Sequence, residues 1–250
     1  MITELTHDNF LNGKIKIWQP KQGYRAATDP VLLAAAIAAK PGNTVLELGC
    51  GVGTAIACLC RRLPKISAYG LEIQEEYALL ARRNSAENSL ELSVHVGDVL
   101  SPPEPIRQMN FDEVFLNPPF FERAAVSAPG ILAKNIAHIE GAAVLSDWIN
   151  TAIRRTKPLG HFTIIHRSER LADILEILNP KAGDIRVLPL ASRKNRDAAR
   201  VIIRARKGAK GATRLLAPLI LHEGSEHTGD GDNYSDRARN ILRHMSCIEM

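Results

Sequence analysis

The sequence predicts an α/β fold built on a doubly wound, mostly parallel sheet of seven strands that ends in an antiparallel hairpin. Short apolar runs alternate with helix-like segments between residues 44 and 190, as expected when parallel strands are joined by crossover helices. A glycine-rich loop follows the first apolar run, where sheets of this kind bind ligands. The last two runs are separated by residues 191–197 alone. This connection is too short for a helix, so the two strands are predicted to pair antiparallel.

The chain before the sheet is predicted to hold a short extended stretch and one helix. The extended stretch covers Lys14–Trp18, and the helix runs from about Val31 to Ala39. Pro30 suits the first position of this helix, and Thr28 or Asp29 can act as its N-cap.

The predicted strands are apolar runs bounded by turn residues, and the segments between them have helical periodicity. The strands are Thr44–Leu48, Ala68–Ile73, Leu92–Val96, Phe111–Leu116, His161–His166, Ile185–Leu190 and Ala198–Ala205. The helices are Thr54–Arg62, Glu75–Ser85, Ala142–Thr156 and Leu171–Leu178. After the sheet we expect a strand over Leu215–Leu221, a glycine-rich loop over His222–Asn233 and a helix over Ser235–Met245.

Composition limits the class of protein. A chain of 250 residues with 45% hydrophobic content can form one α/β domain with a full core. Its four cysteines lack the spacing of a metal knuckle or a disulfide framework, which favours reduced thiols in the cytoplasm and predicts no metal site. Neither a secretory signal nor an apolar run of membrane-spanning length is evident, so we expect a soluble protein without a membrane partner.

Positive charge is concentrated late in the chain. The whole protein carries +5, whereas Lys181–Arg214 holds eleven basic residues against two acidic ones, a net charge of +9. Such a segment can bind the phosphate backbone of RNA, and we assign that contact to Arg193, Lys194 and Arg196. An ordinary solvated surface is the alternative.

The glycine-rich loop is the first candidate binding motif. Glycines at Gly49, Gly51 and Gly53 let a ligand approach the backbone around Cys50. A dinucleotide fingerprint needs glycine or alanine at the next position, which is Thr54 here. Glu47 lies two residues before the loop, and its carboxylate suits a ligand with ammonium and sulfonium groups. These features favour S-adenosylmethionine over a dinucleotide.

Two acidic residues at strand ends extend this candidate site. Glu72 ends the second strand, where a carboxylate can accept both ribose hydroxyl protons, and Asp98 follows the third strand, where it can accept the adenine amino group. Their neighbours Ile73 and Val99 are assigned to the same cofactor site. The carboxyl ends of parallel strands share one edge of the sheet, so these residues are expected to lie together. A cap or a solvated charge is the alternative for each acid.

The most specific motif is Asn117-Pro118-Pro119-Phe120, which follows the fourth strand. Prolines fix backbone torsions and remove N–H donors, so the loop presents a rigid set of carbonyls. The Asn117 amide oxygen and the Pro118 carbonyl can each accept one hydrogen of an amino group, while Phe120 stacks on a planar substrate and Phe121 extends that surface toward RNA. Since a sulfonium is already an activated leaving group, alignment supplies much of the rate. The motif predicts methyl transfer to an exocyclic or amide nitrogen.

Taken together, the chain resembles the amino-group methyltransferases with an N-P-P-aromatic signature, and more closely the bacterial valine tRNA adenine-N6 methyltransferase family. The resemblance is carried by Gly23-Tyr24-Arg25, Thr28–Leu33, the Asn117 motif, Asp147-Trp148-Ile149, Pro158–Phe162 and the segment from Leu221 to Arg243. It implies a Rossmann-like class I methyltransferase fold, S-adenosylmethionine as cofactor and a tRNA substrate methylated on an adenine beside the anticodon. No obligate protein partner is implied.

The resemblance also implies a division of the chain. Residues 1–40 form an N-terminal extension and helix that close the cofactor site, residues 41–208 form the core, and residues 209–250 add a strand and a helix. By the same resemblance, Arg25, Thr28 and Asp29 help to close the site over the methionine end of the cofactor; a capped helix start is the alternative. The aromatic of the motif is Phe120 where relatives commonly have tyrosine.

Three other functions stay open at this stage, one of which is methylation of an amino group in another RNA or in DNA. A protein glutamine methyltransferase would place the same demands on Asn117, although the sequence has no separate helical domain for gripping a protein. An RNA-binding module that keeps a cofactor pocket without turnover is the non-enzymatic alternative.

Overall fold

The computed structural model describes residues 4–119, 143–224 and 233–250. Within these ranges the strands are β1 Leu5–Phe10, β2 Ile15–Pro20, β3 Thr44–Leu48, β4 Ser67–Glu72, β5 Leu92–Val96, β6 Phe111–Leu116, β7 Thr156–Arg167, β8 Ala182–Ala191, β9 Ala198–Lys207, β10 Arg214–Leu215 and β11 Leu219–Ile220. The helices are α1 Asp29–Ala36, α2 Thr54–Arg62, α3 Glu75–Glu87, α4 Glu104–Gln108, α5 Leu145–Arg155, α6 Leu171–Leu178 and α7 Asp236–His244, with a 3-10 turn at Ser168–Arg170.

Strands β3 to β11 form one sheet, and the predicted fold class is confirmed. Its order is β10-β8-β9-β7-β6-β3-β4-β5, with β11 also paired to β8. Neighbours pair in parallel except where β9 meets β7 and β8. The strand order reverses between β3 and β6, and a ligand crevice is expected at the carboxyl ends of the strands there.

Apolar side chains cover both faces of the sheet. Along β6, Phe115 belongs to the cluster packed with α1, α2 and α7, whereas Phe111 and Val114 belong to the cluster packed with α5 and α6. All three side chains are fully buried. Over the described residues, no helix is both long and apolar enough to cross a membrane.

Several predicted boundaries were wrong, and the largest differences lie around residue 156 and in the strand predicted after the sheet. The helix predicted over Ala142–Thr156 begins at Leu145 within the described residues. Thr156, its predicted last residue, is the first residue of β7. That strand also includes residues 157–160, which precede the predicted strand His161–His166, because Thr156 already pairs with Phe111 and a register shift separates this pair from the rest of the ladder. The predicted strand Leu215–Leu221 is divided into β10 and β11 around Pro218, which has no N–H to donate to a ladder.

The N-terminal extended stretch is one arm of a hairpin that the sequence did not reveal. Residues of β1 read LTHDNF, which lacks an apolar alternation, yet they pair with β2 from Leu5 opposite Pro20 to Phe10 opposite Ile15. On the other arm, Ile15 and Ile17 are completely buried. Burial of β2 therefore holds the hairpin against the core.

Two asparagines, Asn84 of α3 and the C-cap residue Asn88, attach this hairpin to the rest of the domain. The Asn84 amide accepts from Trp18 N–H at 2.8 Å and donates to Trp18 C=O at 3.0 Å. Asn88 makes the same pair of bonds with Lys16, at 2.9 and 2.7 Å. Asn84 Nδ2 also donates to Val52 C=O in the glycine-rich loop at 2.9 Å. The hairpin and the loop therefore share one side chain.

Candidate active site

A cavity of about 710 Å³ opens at the carboxyl ends of β3, β4, β5 and β6. The predicted site residues that line it are Glu47, Gly49, Cys50, Gly51, Glu72, Ile73, Asp98, Val99, Asn117, Pro118 and Pro119. They come from four separate loops, and the parallel order of the strands brings those loops to one edge.

The glycine-rich loop turns sharply beneath this cavity. Gly49, Gly51 and Gly53 have φ values of 67°, 54° and 83°, in the left-handed region that side chains disfavour. The N–H groups of Gly49 and Cys50 both donate to Leu71 C=O, at 2.8 and 3.0 Å. These bonds fix the loop to the end of β4.

Two of the glycines are also required by close packing. A Cβ on Gly49 would lie 2.9 Å from the Trp148 ring, and a Cβ on Gly53 would lie 3.2 Å from Ala81 Cβ. Gly53 is the N-cap of α2 and does not line the cavity. Its role in the structure is therefore to begin the helix. Gly51 differs, since a Cβ there would meet only Tyr24 at 4.0 Å. The space beside Gly51 is open to a ligand.

Glu47 is buried beneath the loop, with 3% of its surface exposed. Its Oε2 accepts the N–H of Ile56 in the first turn of α2 at 3.0 Å, which satisfies a helix N-terminus that has no side-chain cap of its own. Burial raises the pKa of Glu47 well above its usual range, and the nearby charge of Glu72 adds to the increase. A cationic group in the cavity would stabilise the charged form of this carboxyl.

Glu72 is 6% exposed and uses both carboxylate oxygens to organise the backbone around it. Oε2 accepts from Gly51 N–H at 2.8 Å, and Oε1 accepts from Gln74 N–H at 2.9 Å. Burial raises the pKa of Glu72, while backbone N–H groups of Gln74, Gly51 and Ile73 oppose that increase. A carboxylate has about four acceptor positions. Two further donors, such as a pair of ribose hydroxyls, can therefore bind to it.

Asp98 lies at the adjoining strand end. Its Oδ1 accepts from Leu100 N–H at 2.9 Å, so it caps its own turn while it lines the cavity. The preceding Gly97 donates its N–H to Glu72 C=O at 2.9 Å. The two strand-end acids therefore belong to one hydrogen-bonded frame.

The other end of the cavity contains the Asn-Pro-Pro motif. Asn117 Nδ2 donates to the hydroxyl oxygen of Tyr24 at 3.3 Å. Its Oδ1 is buried and has no hydrogen-bond partner among the described residues. Phe120 and Phe121, predicted to stack on the substrate, lie outside those residues.

Sequence reasoning missed two aromatic residues of this site. Tyr24 reaches Asn117 from the N-terminal segment, and Trp148 of α5 covers Gly49. Both residues line the cavity. Burial, followed by the charges of Glu47 and Asp29, raises the pKa of Tyr24, so its hydroxyl stays protonated. Both residues lie in segments that carry the family resemblance, but nothing in their spacing indicated a contact with the site.

The three N-terminal residues assigned to cofactor binding do not line the cavity. The Arg25 guanidinium turns to the hairpin, where it contacts Asp8 and Thr6, each at 2.8 Å. Thr28 is the N-cap of α1, and Asp29 pairs with Arg200 at 3.3 Å. The N-terminal residues that do line the cavity are Glu4, Pro20, Lys21, Gln22, Gly23, Tyr24, Ala26 and Pro30.

The basic residues of this segment lie at both ends of the strands, so they do not share one side of the sheet. Its hairpin tip, residues 192–197, lies at the same end of the strands as the cavity, because β8 runs parallel to β7 through their shared neighbour β9. There Lys194 and Arg196 are exposed, whereas Arg193 donates to the C=O groups of Glu223 and Gly224.

Other basic residues of the segment form ion pairs or hydrogen bonds within the protein. Arg204 forms a buried pair with Glu113 at 2.8 Å. Near the opposite end of the strands, Arg206 donates to Leu159 C=O at 3.0 Å. The described residues therefore do not form the single basic surface that the count of charges suggested.

Comparison with known proteins gives a family and several relatives. The family model of the methyltransferase small domain matches residues 27–176. A tRNA1(Val) (adenine(37)-N6)-methyltransferase of Porphyromonas gingivalis is 29% identical over 196 residues, 73% of this chain and 76% of the relative. A release factor glutamine methyltransferase of Koribacter versatilis is 34% identical over 76 residues, 30% of this chain and 26% of the relative.

Among solved structures, protein Atu636 of Agrobacterium tumefaciens, described as a predicted O-methyltransferase, superimposes with a TM-score of 0.69. The two chains are 24% identical, and the match covers 88% of this chain and 98% of that one. A likeness at this identity shows the fold alone.

Proposed function

The chain belongs to the methyltransferase small domain family, and from that premise we propose that it transfers the methyl group of S-adenosylmethionine to the N6 amino group of an adenine in tRNA. Its fold is the Rossmann-like class I methyltransferase fold expected from the sequence. The observation that carries the proposal is one cavity that joins the glycine-rich loop and two strand-end acids to Asn117-Pro118-Pro119. A nucleotide-like cofactor and an amino acceptor can meet in that space.

The charges of the cavity suit a cationic cofactor. Its lining holds the carboxyl groups of Glu4, Glu47, Glu72, Glu76 and Asp98, and Lys21 is the one Lys or Arg side chain among its described residues. Lys21 pairs with Glu4 at 3.2 Å at the rim. S-adenosylmethionine supplies an activated methyl group on a sulfonium, and its ammonium adds a second positive charge. Negative charge near both groups favours binding.

Each part of the cofactor has a candidate partner in this chain. Glu72 has acceptor positions for the ribose hydroxyls, and Asp98 has them for the adenine amino group. Gly51 leaves room beside the backbone, and Glu47 lies beneath the loop where the sulfonium and ammonium would be near. Residues 20–24 of the N-terminal segment line the cavity, which supports the proposal that residues 1–40 close the cofactor site.

The acceptor chemistry follows from the motif. Asn117 Oδ1 and the Pro118 carbonyl each accept one hydrogen of the substrate amino group, which draws its lone pair out of conjugation and toward the methyl group. The unpaired Oδ1 supports this role, because a buried acceptor without a partner costs about 1–3 kcal/mol until a donor arrives. No side chain has to remove the proton before transfer, since alignment supplies much of the rate.

The preference for tRNA rests on two observations. The P. gingivalis relative, whose name specifies adenine 37 of tRNA1(Val), matches across most of both chains. In addition, the exposed Lys194 and Arg196 lie at the same end of the strands as the cavity, where they can contact RNA phosphates. An adenine beside the anticodon of valine tRNA is therefore the proposed target, and the cytoplasm, where tRNA is modified, is the proposed compartment.

Methylation of a protein glutamine is the second candidate. The K. versatilis relative supports it, although the match covers 26% of that protein. A carboxamide nitrogen has the same two hydrogens for Asn117 and Pro118 to accept. The two candidates differ in the partner that must be bound outside the cavity.

Labelled S-adenosylmethionine, incubated separately with tRNA, rRNA and protein fractions, tests the proposal directly. Nucleoside mass spectrometry of the tRNA should show labelled N6-methyladenosine, which Asn117→Ala should abolish. Label on a protein glutamine would replace the first candidate with the second. Cofactor binding with no transfer to any fraction would overturn both and favour an RNA-binding module.

A further inference from the structure

Tyr24 makes the one hydrogen bond that the Asn117 side chain forms within the described residues. We infer that Tyr24 is a positioning residue, which holds the nitrogen end of the Asn117 amide so that the oxygen end is left for the acceptor amino group. The inference rests on the proposed function, because it assigns a use to that oxygen. It also makes the site selective for acceptors that donate N–H.

The two ends of an asparagine amide have nearly the same shape but opposite hydrogen-bonding properties. A half-turn of the Asn117 amide would present N–H donors where an acceptor is needed. In the structure Nδ2 lies 3.3 Å from the Tyr24 hydroxyl oxygen, while Oδ1 is buried without a partner among the described residues. In this arrangement the hydroxyl oxygen accepts from the nitrogen end of the amide, which leaves the oxygen end for an N–H donor of the substrate.

Tyr24 is itself held in place from two directions. Its backbone lies beside the hydroxyl of Tyr77 on α3, a contact that lowers the pKa of Tyr77 against the larger effect of burial. The preceding Gly23 has a φ of 93°, and a Cβ there would lie 3.0 Å from that same hydroxyl. Because the hairpin before this segment is bound to Asn84 of α3 and to its C-cap residue Asn88, the position of Tyr24 is set by α3 and not by the acceptor loop.

The state of the hydroxyl suits this role. A protonated hydroxyl can accept from Nδ2 and still donate its own hydrogen elsewhere. Burial and the charges of Glu47 and Asp29 raise the pKa of Tyr24 above its ordinary value of 10.0, so the hydroxyl is protonated at neutral pH. Ionisation of the tyrosine does not interrupt the contact.

A cycle of two substitutions tests the inference. Tyr24→Phe keeps the ring and removes the hydroxyl, and we expect kcat to fall about 10- to 100-fold, the size of effect that misplacement of a reacting group produces. The Kd for S-adenosylmethionine should stay within about twofold, since other residues hold the cofactor. In an Asn117→Asp background, Tyr24→Phe should lower kcat by less than about threefold, because a carboxylate presents an acceptor oxygen in either orientation.

A second measurement does not depend on turnover. The side-chain NH2 resonances of Asn117, assigned by their loss in Asn117→Ala, should lose protection from hydrogen exchange in Tyr24→Phe. Tyr69→Phe is the matched control, because Tyr69 packs on Phe111 away from the cavity and should change neither kcat nor these resonances.

The outcomes separate this inference from the proposed function. An unchanged kcat in Tyr24→Phe, an equal loss in the Asn117→Asp background, or unaltered Asn117 resonances would each overturn the role of Tyr24. If the unaltered protein transfers no methyl group to any nitrogen, the proposed function fails instead.

Discussion

The two ends of the cavity differ in how their polar groups are paired. At the cofactor end, Glu47 and Glu72 already accept backbone N–H groups of the loops around them. At the acceptor end, the amide oxygen Oδ1 of Asn117 is buried and has no partner among the described residues, a state that at the cofactor end is shared by the Thr54 hydroxyl but by neither carboxylate. The cofactor end is therefore organised before a ligand arrives, whereas the acceptor end is completed by its substrate. Binding and transfer should be separable by mutation.

The largest expected effect tests the acceptor end. Asn117→Ala should lower kcat about 100- to 1000-fold, as removal of a preorganised hydrogen-bonding group at a reacting centre does. Its Kd for S-adenosylmethionine, measured by calorimetry, should change by less than about twofold. A parallel loss of cofactor affinity would show that the two ends are not independent.

Next in size is a substitution in the glycine-rich loop. Gly49→Ala adds a Cβ 2.9 Å from the Trp148 ring at a φ of 67°, so it should cost about 1–2 kcal/mol for the backbone and about 1–3 kcal/mol for overpacking. Gly13→Ala is the matched control, since its φ is 80° but its Cβ would meet nothing within 4 Å. Denaturant unfolding of both variants should show the larger loss at Gly49, and equal losses would contradict the packing argument.

At the cofactor end, Glu72→Gln should weaken S-adenosylmethionine binding by about 10- to 100-fold, given about 1.5–3 kcal/mol for hydrogen bonds to a charged group. The amide nitrogen of the new residue would face one of the two N–H donors now bound, at Gly51 or Gln74. The maximal rate at saturating cofactor should change far less than Kd. A fall in that rate with Kd unchanged would place Glu72 at the acceptor end.

Low pH should weaken the binding of S-adenosylmethionine at the cofactor end of the cavity. Burial raises the pKa of Glu47 well above its ordinary value of 4.5, so the attraction of its carboxylate for a sulfonium is present at high pH and is lost as pH falls through that raised pKa. The same proton favours the folded protein at low pH, because an acid with a raised pKa in the folded state stabilises that state below its unfolded pKa. Affinity for S-adenosylmethionine relative to uncharged S-adenosylhomocysteine should therefore drop on acidification. A constant ratio would argue against a carboxylate near the sulfonium.

The smallest expected effect lies outside the cavity. Replacing Lys194 and Arg196 with serine should reduce tRNA affinity and lower the slope of log K against log salt by about one to two. Lys210→Ser, an exposed change in the same basic segment, is the control and should leave the slope unaltered. If the control has the same effect as the pair, RNA does not approach from the hairpin tip.

The elements that the sequence predicted well are those with a local cause. Thr44–Leu48 and Thr54–Arg62 were predicted with the bounds that the structure has, since an apolar run and a glycine turn are short-range signals. The same holds for the cofactor residues that immediately follow strands, such as Glu72 and Asp98. β1 was missed because its polar residues become ordered by pairing with β2, which is itself held by asparagines of α3 and its C-cap.

The primary structure was sufficient for the cofactor end and for the identity of the acceptor motif, because each of those features lies within a few residues of a strand end. The primary structure did not predict contacts between segments that are distant in the chain. Tyr24 contacts Asn117, which lies 93 positions further along the chain. Trp148 of α5 packs over Gly49, which also lies far from it in the sequence. Folding also divided the basic segment between the two ends of the strands and turned Arg25 away from the cavity, because strand direction and packing partners decide which end a side chain reaches.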